Sequence, residues 1–449
     1  MKFEFLLNSI LKCFIITYIV SLIFSQYFFF YIYSLKISLT EIIFPPLFFC
    51  LVVYSIFYYK KIRLKTSNTS NFIDTSLLVI LIFKIIKLYL NDLNLYNYKE
   101  IIEYVYLIII YFSFRFIFDN FNKIDKIIYK SFEIVFIFSS IIILFSVIIY
   151  YFISQENIFN LWIFDETKLN PVYGKNLHFT GFFETWNMQA YVIIPGLFII
   201  LCNRKINKIS FYLVSFIGGI CLYFLKTKIL VLLFFYLIYN FIVKKFKSKF
   251  FSKKISFIFF FISIFIIYSL LTHFIVLNKG SINSSNQHLY EFYLTKEPIK
   301  SILNYEIYGS VLYKLKLIML QISSDNNYLY FQGEYFEKLT KNIFFEDPSM
   351  KNMMKSTFGM EPHSLIFGSL INYGIFGLIF YLIFYFNPIL ISTIENNENG
   401  FLTEKNVVLI VLSFFLVVSI NSDVQSLRFL MIFYALFIRE YLSRKNYSI

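Results

Sequence analysis

The chain has 449 residues, of which 58% are hydrophobic and 15% charged, with a mean hydropathy of +0.68 and a net charge of +14. A soluble chain carries about 25% charged residues, and one apolar core stops growing beyond about 250–300 residues, so a single soluble domain is excluded. The basic residues sit in short linkers between apolar blocks, where membrane topology and anionic lipid explain them, which argues against nucleic acid as a partner.

The apolar blocks approach the length of about 20 residues that crosses a bilayer as a helix. In chain order they predict spans near 11–32, 39–59, 72–90, 101–118, 132–153, 187–202, 209–225, 229–243, 255–277, 365–386, 406–420 and 424–438. The expected fold is therefore an all-α polytopic membrane protein with about 12 transmembrane helices. The N-terminal run has a basic start and lacks a small-residue cleavage site, so it reads as a retained helix. Residues 1–277 form a first bundle of about nine helices, 278–364 one large loop between spans nine and ten, and 365–449 the last helices with a short tail.

Orientation follows from the linkers. Basic residues follow the second span (Lys60, Lys61, Arg63, Lys65), the fourth (Lys123, Lys126, Lys130), the sixth (Arg204, Lys205, Lys208) and the eighth (Lys244, Lys245, Lys247, Lys249, Lys253, Lys254). With Arg439, Arg444 and Lys445 near the end, they share one side if the spans alternate, which predicts cytoplasmic termini and an extracytoplasmic 278–364 loop. That loop carries nine Lys and nine Asp or Glu, with helical pieces over 304–322 and 327–344, and reads as a folded cap.

The abundance of Phe (61) and Tyr (37) alongside Ile, Lys and Asn suggests an AT-rich genome filling lipid-facing positions. The four cysteines, Cys13, Cys50, Cys202 and Cys221, lie in or beside apolar runs and suggest neither a disulfide framework nor a thiolate metal site. The histidines, His178, His273, His288 and His363, are predicted at the outer side, yet no HExxH or i,i+4 pair links them, so no metal is expected. Lys84 and Lys87 stand inside the third span, where they line the bundle, meet a carboxylate or mark a segment that is interfacial at one end. Lys226 and Lys228 occupy a brief outward turn, against the inside bias, where they either snorkel or meet an anion.

His363 is the leading candidate for chemistry. Pro362 suits a helix start, and His363 and Ser364 then stand at the mouth of a long apolar helix whose free amides favour an anion. Gly368, Gly374 and Gly377 in the same span allow close helix approach. The competing reading is an interfacial cap with glycines for packing.

The order His363, Ser364, nine residues, Gly374, two residues, Gly377 resembles the signature of the O-antigen ligase and polymerase superfamily. The large loop just before it is similar too. Thr180–Ala190 resembles a second family stretch, with Gly181, Asn187 and Ala190 matching, Trp186 standing at the proline position and His178 near the usual basic residue. Leu225–Ile229 resembles a Ser-Arg-Gly site at a helix start, with Thr227 for Ser, Lys228 for Arg and Ile229 for Gly. Residues 205–427 contain no arginine, whereas the family uses loop arginines to hold phosphate or sugar; Lys314 and Lys316 lie where such a residue would be sought. The resemblance implies a cofactor-free glycosyltransferase in the bacterial cytoplasmic membrane, with a polyprenyl-diphosphate-linked oligosaccharide as donor. A polymerase uses a lipid-linked repeat unit as acceptor, a ligase lipid A-core; a chain-length regulator is a possible partner for the former. His363 would bind or deprotonate the acceptor hydroxyl, while Lys228, helped by Lys226 or His178, would steady the departing diphosphate. Divergence favours the polymerase. A lipid-linked oligosaccharide transporter and a scaffold within an assembly complex are the readings from other classes.

Overall fold

A computed structural model describes residues 2–24, 29–32, 35–58, 62, 66–90, 95–121, 123–148, 163–165, 177–179, 186–203, 206–225, 227, 229–246, 254–280, 365–392, 400–419 and 428–446. Twelve α-helices lie within them: α1 (Lys2–Ser21), α2 (Leu39–Tyr58), α3 (Asn68–Leu90), α4 (Leu95–Asn120), α5 (Ile124–Ile148), α6 (Trp186–Leu201), α7 (Lys208–Phe224), α8 (Ile229–Phe246), α9 (Lys254–Gly280), α10 (Leu365–Ile391), α11 (Val407–Val418) and α12 (Phe429–Asn446). Two short antiparallel hairpins complete the described structure, β1 (Phe29–Ile32) with β2 (Leu35–Ser38), and β3 (Ile163–Asp165) with β4 (Leu177–Phe179). The chain is an all-α protein whose long apolar helices are consistent with a polytopic membrane protein.

The expected number of spans is corrected. Five described segments are long and apolar enough to cross a bilayer: Leu39–Tyr58, Asn68–Ile86, Ile101–Asn120, Ile124–Ile148 and Lys254–Leu271. Five further apolar helices are shorter, among them Gln189–Leu201, Lys208–Phe224 and Val407–Val418. At 1.5 Å per residue, a helix of 12 residues reaches only about 18 Å against a hydrocarbon core of about 30 Å. All twelve residues of α11 are buried in protein, so its apolar run belongs to the core of the bundle. Hydropathy cannot tell an apolar residue facing lipid from one facing other helices. The first expected span, 11–32, also ends early: α1 stops at Ser21, and the chain turns through Leu22–Phe24 into the β1–β2 hairpin.

Packing is antiparallel where the chain reverses, and aromatic rings fill the interior. Around α11, Phe198 of α6, Tyr236 of α8 and Phe414 lie with ring centroids 5.3–5.6 Å apart, and Tyr236 shares a 2.8 Å hydrogen bond with Ser413. Below that cluster, Asn240 accepts from the Leu402 amide at 2.9 Å. Gly400 reaches this contact with φ +91, a conformation L side chains avoid, and a Cβ there would stand 2.5 Å from Asn240 Oδ1. The outer faces are apolar, as α2 illustrates: Phe49, Ile56 and Phe57 are largely exposed.

One end of the bundle is basic. Tyr54 near the end of α2 meets Phe121 just beyond α4 at 4.6 Å. Lys123 and Lys126 follow α4 and Lys130 lies in the second turn of α5, all exposed. Lys254, first in α9, donates to the Leu390 carbonyl near the end of α10. The opposite end holds the β1–β2 hairpin and the starts of α2 and α10.

Helices α5 and α6 approach closely at Gly196. A Cβ on Gly196 would lie 2.1 Å from the Phe132 carbonyl oxygen and 2.6 Å from Phe136 Cβ. Gly196→Ala must therefore push the two helices apart, an overpacking cost of about 1–3 kcal/mol. The expected result is a lower thermal midpoint in detergent, while Gly219→Ala, whose new methyl meets only Leu230 Cδ1 at 3.9 Å, leaves the midpoint unchanged or slightly raised.

Candidate functional site

The start of α10 is fixed by a backbone bond: the Leu365 amide donates to the Ser419 carbonyl just past α11, at 2.9 Å. One face of α10 then presents Tyr373, Gly377, Tyr381 and Tyr385, spaced by one helical turn. Gly377 acts as a notch. The Tyr373 and Tyr381 rings stack across it, 5.7 Å apart and 12° from parallel, and a Cβ on Gly377 would fall 2.2 Å from Tyr373 Cβ. Tyr381 stacks in turn on Tyr385 at 5.8 Å.

This tyrosine face meets Lys84 of α3, which is only 3% exposed. Its ammonium donates to Tyr373 Oη at 2.6 Å and lies 4.8 Å from the Tyr373 ring centroid and 5.0 Å from that of Tyr104 on α4. Aromatic faces attract a cation by their quadrupole, more strongly when it is desolvated. Lys84 thus meets aromatic groups of two other helices. Lys87 is helical, and its side chain lies outside the described residues.

Two further charge groups lie between helices. Asp74 of α3 accepts from Tyr111 Oη at 2.5 Å and lies 3.7 Å from Arg115 Nη2, both from α4. Toward the other end, Glu41 of α2 and Arg428, which precedes α12, form an ion pair at 2.5 Å. Arg428 also covers the Tyr106 ring at 5.0 Å. Glu41 additionally accepts from the Ser38 amide, the return half of a capping box at the α2 N-terminus. The sequence carried signals for both groups. Charges within apolar spans marked Asp74 and Arg115, and a Ser-x-x-Glu spacing before an apolar run marked Glu41; Arg428 is the first arginine after the long arginine-free stretch.

Of the residues predicted for chemistry, His178 lies in β4 and pairs in register with Phe164. Asn187 is the second residue of α6, and Gly374 is helical within α10. Gly377 is buried and spaces the tyrosine stack. His363, Ser364, Gly181, Lys226, Lys228, Lys314 and Lys316 lie outside the described residues. Among the described residues, no three His, Cys, Asp or Glu side chains converge as a metal cage. The four cysteines are free thiols, with Cys202 and Cys221 buried. Beyond the end of α6, burial pushes the Cys202 thiol up, and the Glu404 carboxylate adds to the effect.

No protein family matches the chain, and no curated protein is similar to it.

The chemistry available in the described interior is the holding of charge in a dry setting. Removing one partner of this partly buried pair weakens what answers the other, at a cost below the about 3–5 kcal/mol of a fully buried pair, whereas replacing both by apolar groups is milder. Asp74→Leu is expected to lower the thermal midpoint in detergent, and Asp74→Leu with Arg115→Leu to recover most of the loss. Equal losses in the single and double variants would show that the two residues act separately.

Proposed function

We propose that this protein is a glycosyltransferase of the bacterial cytoplasmic membrane, a polysaccharide repeat-unit polymerase. It transfers a glycan from polyprenyl diphosphate to a lipid-linked repeat unit at the extracytoplasmic face. The reading rests on one observation: the spacing His363-Ser364, nine residues, Gly374, two residues, Gly377 at the head of a long apolar helix. Three features support it. Helix α10 begins at Leu365, two residues after that histidine in sequence. Gly377 makes the notch for a tyrosine stack that receives a buried cation, a packing use for the signature's last glycine. The exposed lysines beside α4 and in α5 gather with Lys254 at the end opposite the start of α10, which is the orientation the positive-inside rule requires for an extracytoplasmic His363.

In this mechanism the acceptor hydroxyl attacks the anomeric carbon of the donor as the bond to diphosphate breaks. His363 takes the hydroxyl proton, and the diphosphate leaves with the electron pair. The donor already carries its leaving group, so no nucleotide and no cofactor are required. Lys228, with Lys226 or His178, offsets the departing charge, and Lys314 and Lys316 supply the loop cations. Lysine takes this role because residues 205–427 hold no arginine and Arg428 is committed to Glu41. A lysine meets phosphate as a point charge, without the guanidinium fork. One displacement inverts the anomeric centre.

A positioned general base contributes about 10²–10⁴-fold to rate. In a strain deleted for this protein, the wild-type gene should restore long surface polysaccharide. His363→Ala, present in the membrane at the same level, should leave single repeat units. Full-length polymer from His363→Ala would overturn the assignment.

A further inference from the structure

The proposed transfer uses none of the charges inside the bundle, and those charges are not scattered. Asp74, Leu77 and Lys84 lie on one stripe of α3. Tyr104, Tyr111 and Arg115 share a stripe of α4, and Tyr373, Tyr381 and Tyr385 one of α10. The three stripes meet along a seam.

The contacts follow one another along it. The Lys84 ammonium donates to Tyr373 Oη at 2.6 Å and lies 5.0 Å from the Tyr104 ring centroid. Tyr104 Oη donates to the Leu77 carbonyl at 3.3 Å. Three residues back along α3, a rise of about 4.5 Å, Asp74 accepts from Tyr111 Oη at 2.5 Å and lies 3.7 Å from Arg115 Nη2. On the α10 side, Tyr373, Tyr381 and Tyr385 stack at 5.7 and 5.8 Å, and Phe384 packs on Tyr111 at 5.5 Å.

The two charged ends lie toward opposite ends of the bundle. Asp74 is in the second turn of α3, at the end where Lys123 and Lys126 follow α4. Lys84 lies toward the other end of α3 and meets the first half of α10. Their backbones are about 15 Å apart along the helix, half of a hydrocarbon core of about 30 Å. The long Lys84 side chain leans back toward the start of its helix, and so toward Asp74.

The residue types are costly for packing alone. The chain has 61 phenylalanines, yet the five seam positions are tyrosines, each at most 2% exposed. A buried hydroxyl costs free energy unless it is bonded, and a lysine inside a membrane costs more. Apolar groups hold helices together as well as buried charges do, or better. Lysine, tyrosine and aspartate share a property that phenylalanine and arginine lack: each can both bind and release a proton. Ionisable side chains inside membrane helices mark proton relays.

We propose that Lys84, Tyr104 and Asp74 form a gated proton path through the bundle, driven by the proton gradient across the membrane and separate from glycan transfer. The Lys84 ammonium gives up a proton, the Tyr104 hydroxyl takes it as its own proton passes on, and the Asp74 carboxylate receives that one. The amine regains a proton from water at its end, and the carboxyl loses one to water at the other. One proton crosses per cycle, and only N–H and O–H bonds change. Water bridges the steps longer than a hydrogen bond. Tyr373 seats the ammonium, and Tyr111 and Arg115 seat the carboxylate. Lys84 is 3% exposed, whereas the Asp74 side chain is 18% exposed. The gate is therefore at Lys84, and it spares the membrane a standing leak.

The test is proton uptake by lipid vesicles that hold the purified full-length protein, with no glycan donor present. Uptake is read with an enclosed pH-sensitive dye under an imposed pH gradient and a potassium–valinomycin potential. Wild type should take up protons faster than protein-free vesicles. Tyr104→Phe keeps the ring beside Lys84 and removes only the hydroxyl. Lys84→Arg keeps the cation but holds its proton permanently, so a purely structural cation would be rescued by it and a proton carrier would not. Each variant should bring uptake down to the rate of protein-free vesicles, with Tyr104→Phe keeping a thermal midpoint near that of wild type. If Lys84→Arg does not fold, Tyr104→Phe carries the test. Wild-type uptake no faster than that of protein-free vesicles overturns the proposal. Undiminished uptake in folded Tyr104→Phe or Lys84→Arg overturns it too. With no donor present, the result is independent of whether His363→Ala still makes polymer.

Discussion

A charge carried into an apolar bundle must be answered by the bundle itself, and the described interior is arranged around that constraint. Asp74 is met by Arg115 and Tyr111, Glu41 by Arg428, and Lys84 by two tyrosines. These contacts join α3 to its neighbour α4, α2 to the start of α12, and α3 to α10. Dispersion between apolar faces is nearly indifferent to rotation and register in lipid, where the hydrophobic drive between helices is absent. Directional polar contacts are not indifferent. They select one rotation of α3 and α10, and thereby the way the residues at the head of α10 are presented.

The Lys84 contact links this constraint to the proposed chemistry. Tyr373 stands one residue before Gly374 and one turn before Gly377, inside the signature. With a larger side chain at 377 the Tyr373 ring could not stack on Tyr381, and the hydroxyl that receives Lys84 would move. The glycine at 377 thus sets the geometry of this helix. The backbone bond from Leu365 to Ser419 ties its start to the buried helix α11. A rigid seat is what a positioned acid–base group requires.

Much of the helical layout was legible in the sequence. The apolar run at 39–59 is α2 (Leu39–Tyr58), and that at 229–243 is α8 (Ile229–Phe246). The number of membrane crossings was not legible, because α11 is as apolar as a span and yet buried on every side. The first run failed differently: apolar residues beyond Ser21 belong to a hairpin, and composition does not separate helix from strand in a short apolar stretch. For the site, Lys84 was visible as a charge in a span, but its tyrosine partners lie 20 and 289 residues away in sequence.

On the proposed reading the protein joins glycans using a polyprenyl diphosphate donor. The most direct test of that reading is reconstitution of the purified protein in lipid vesicles with polyprenyl-diphosphate-linked repeat units, followed by analysis of the lipid-linked products. The account predicts a ladder of lengthening glycans, one free polyprenyl diphosphate released for each bond formed, and inversion at each new linkage. Repeat units that stay single, or that cross the vesicle membrane without being joined, would contradict it.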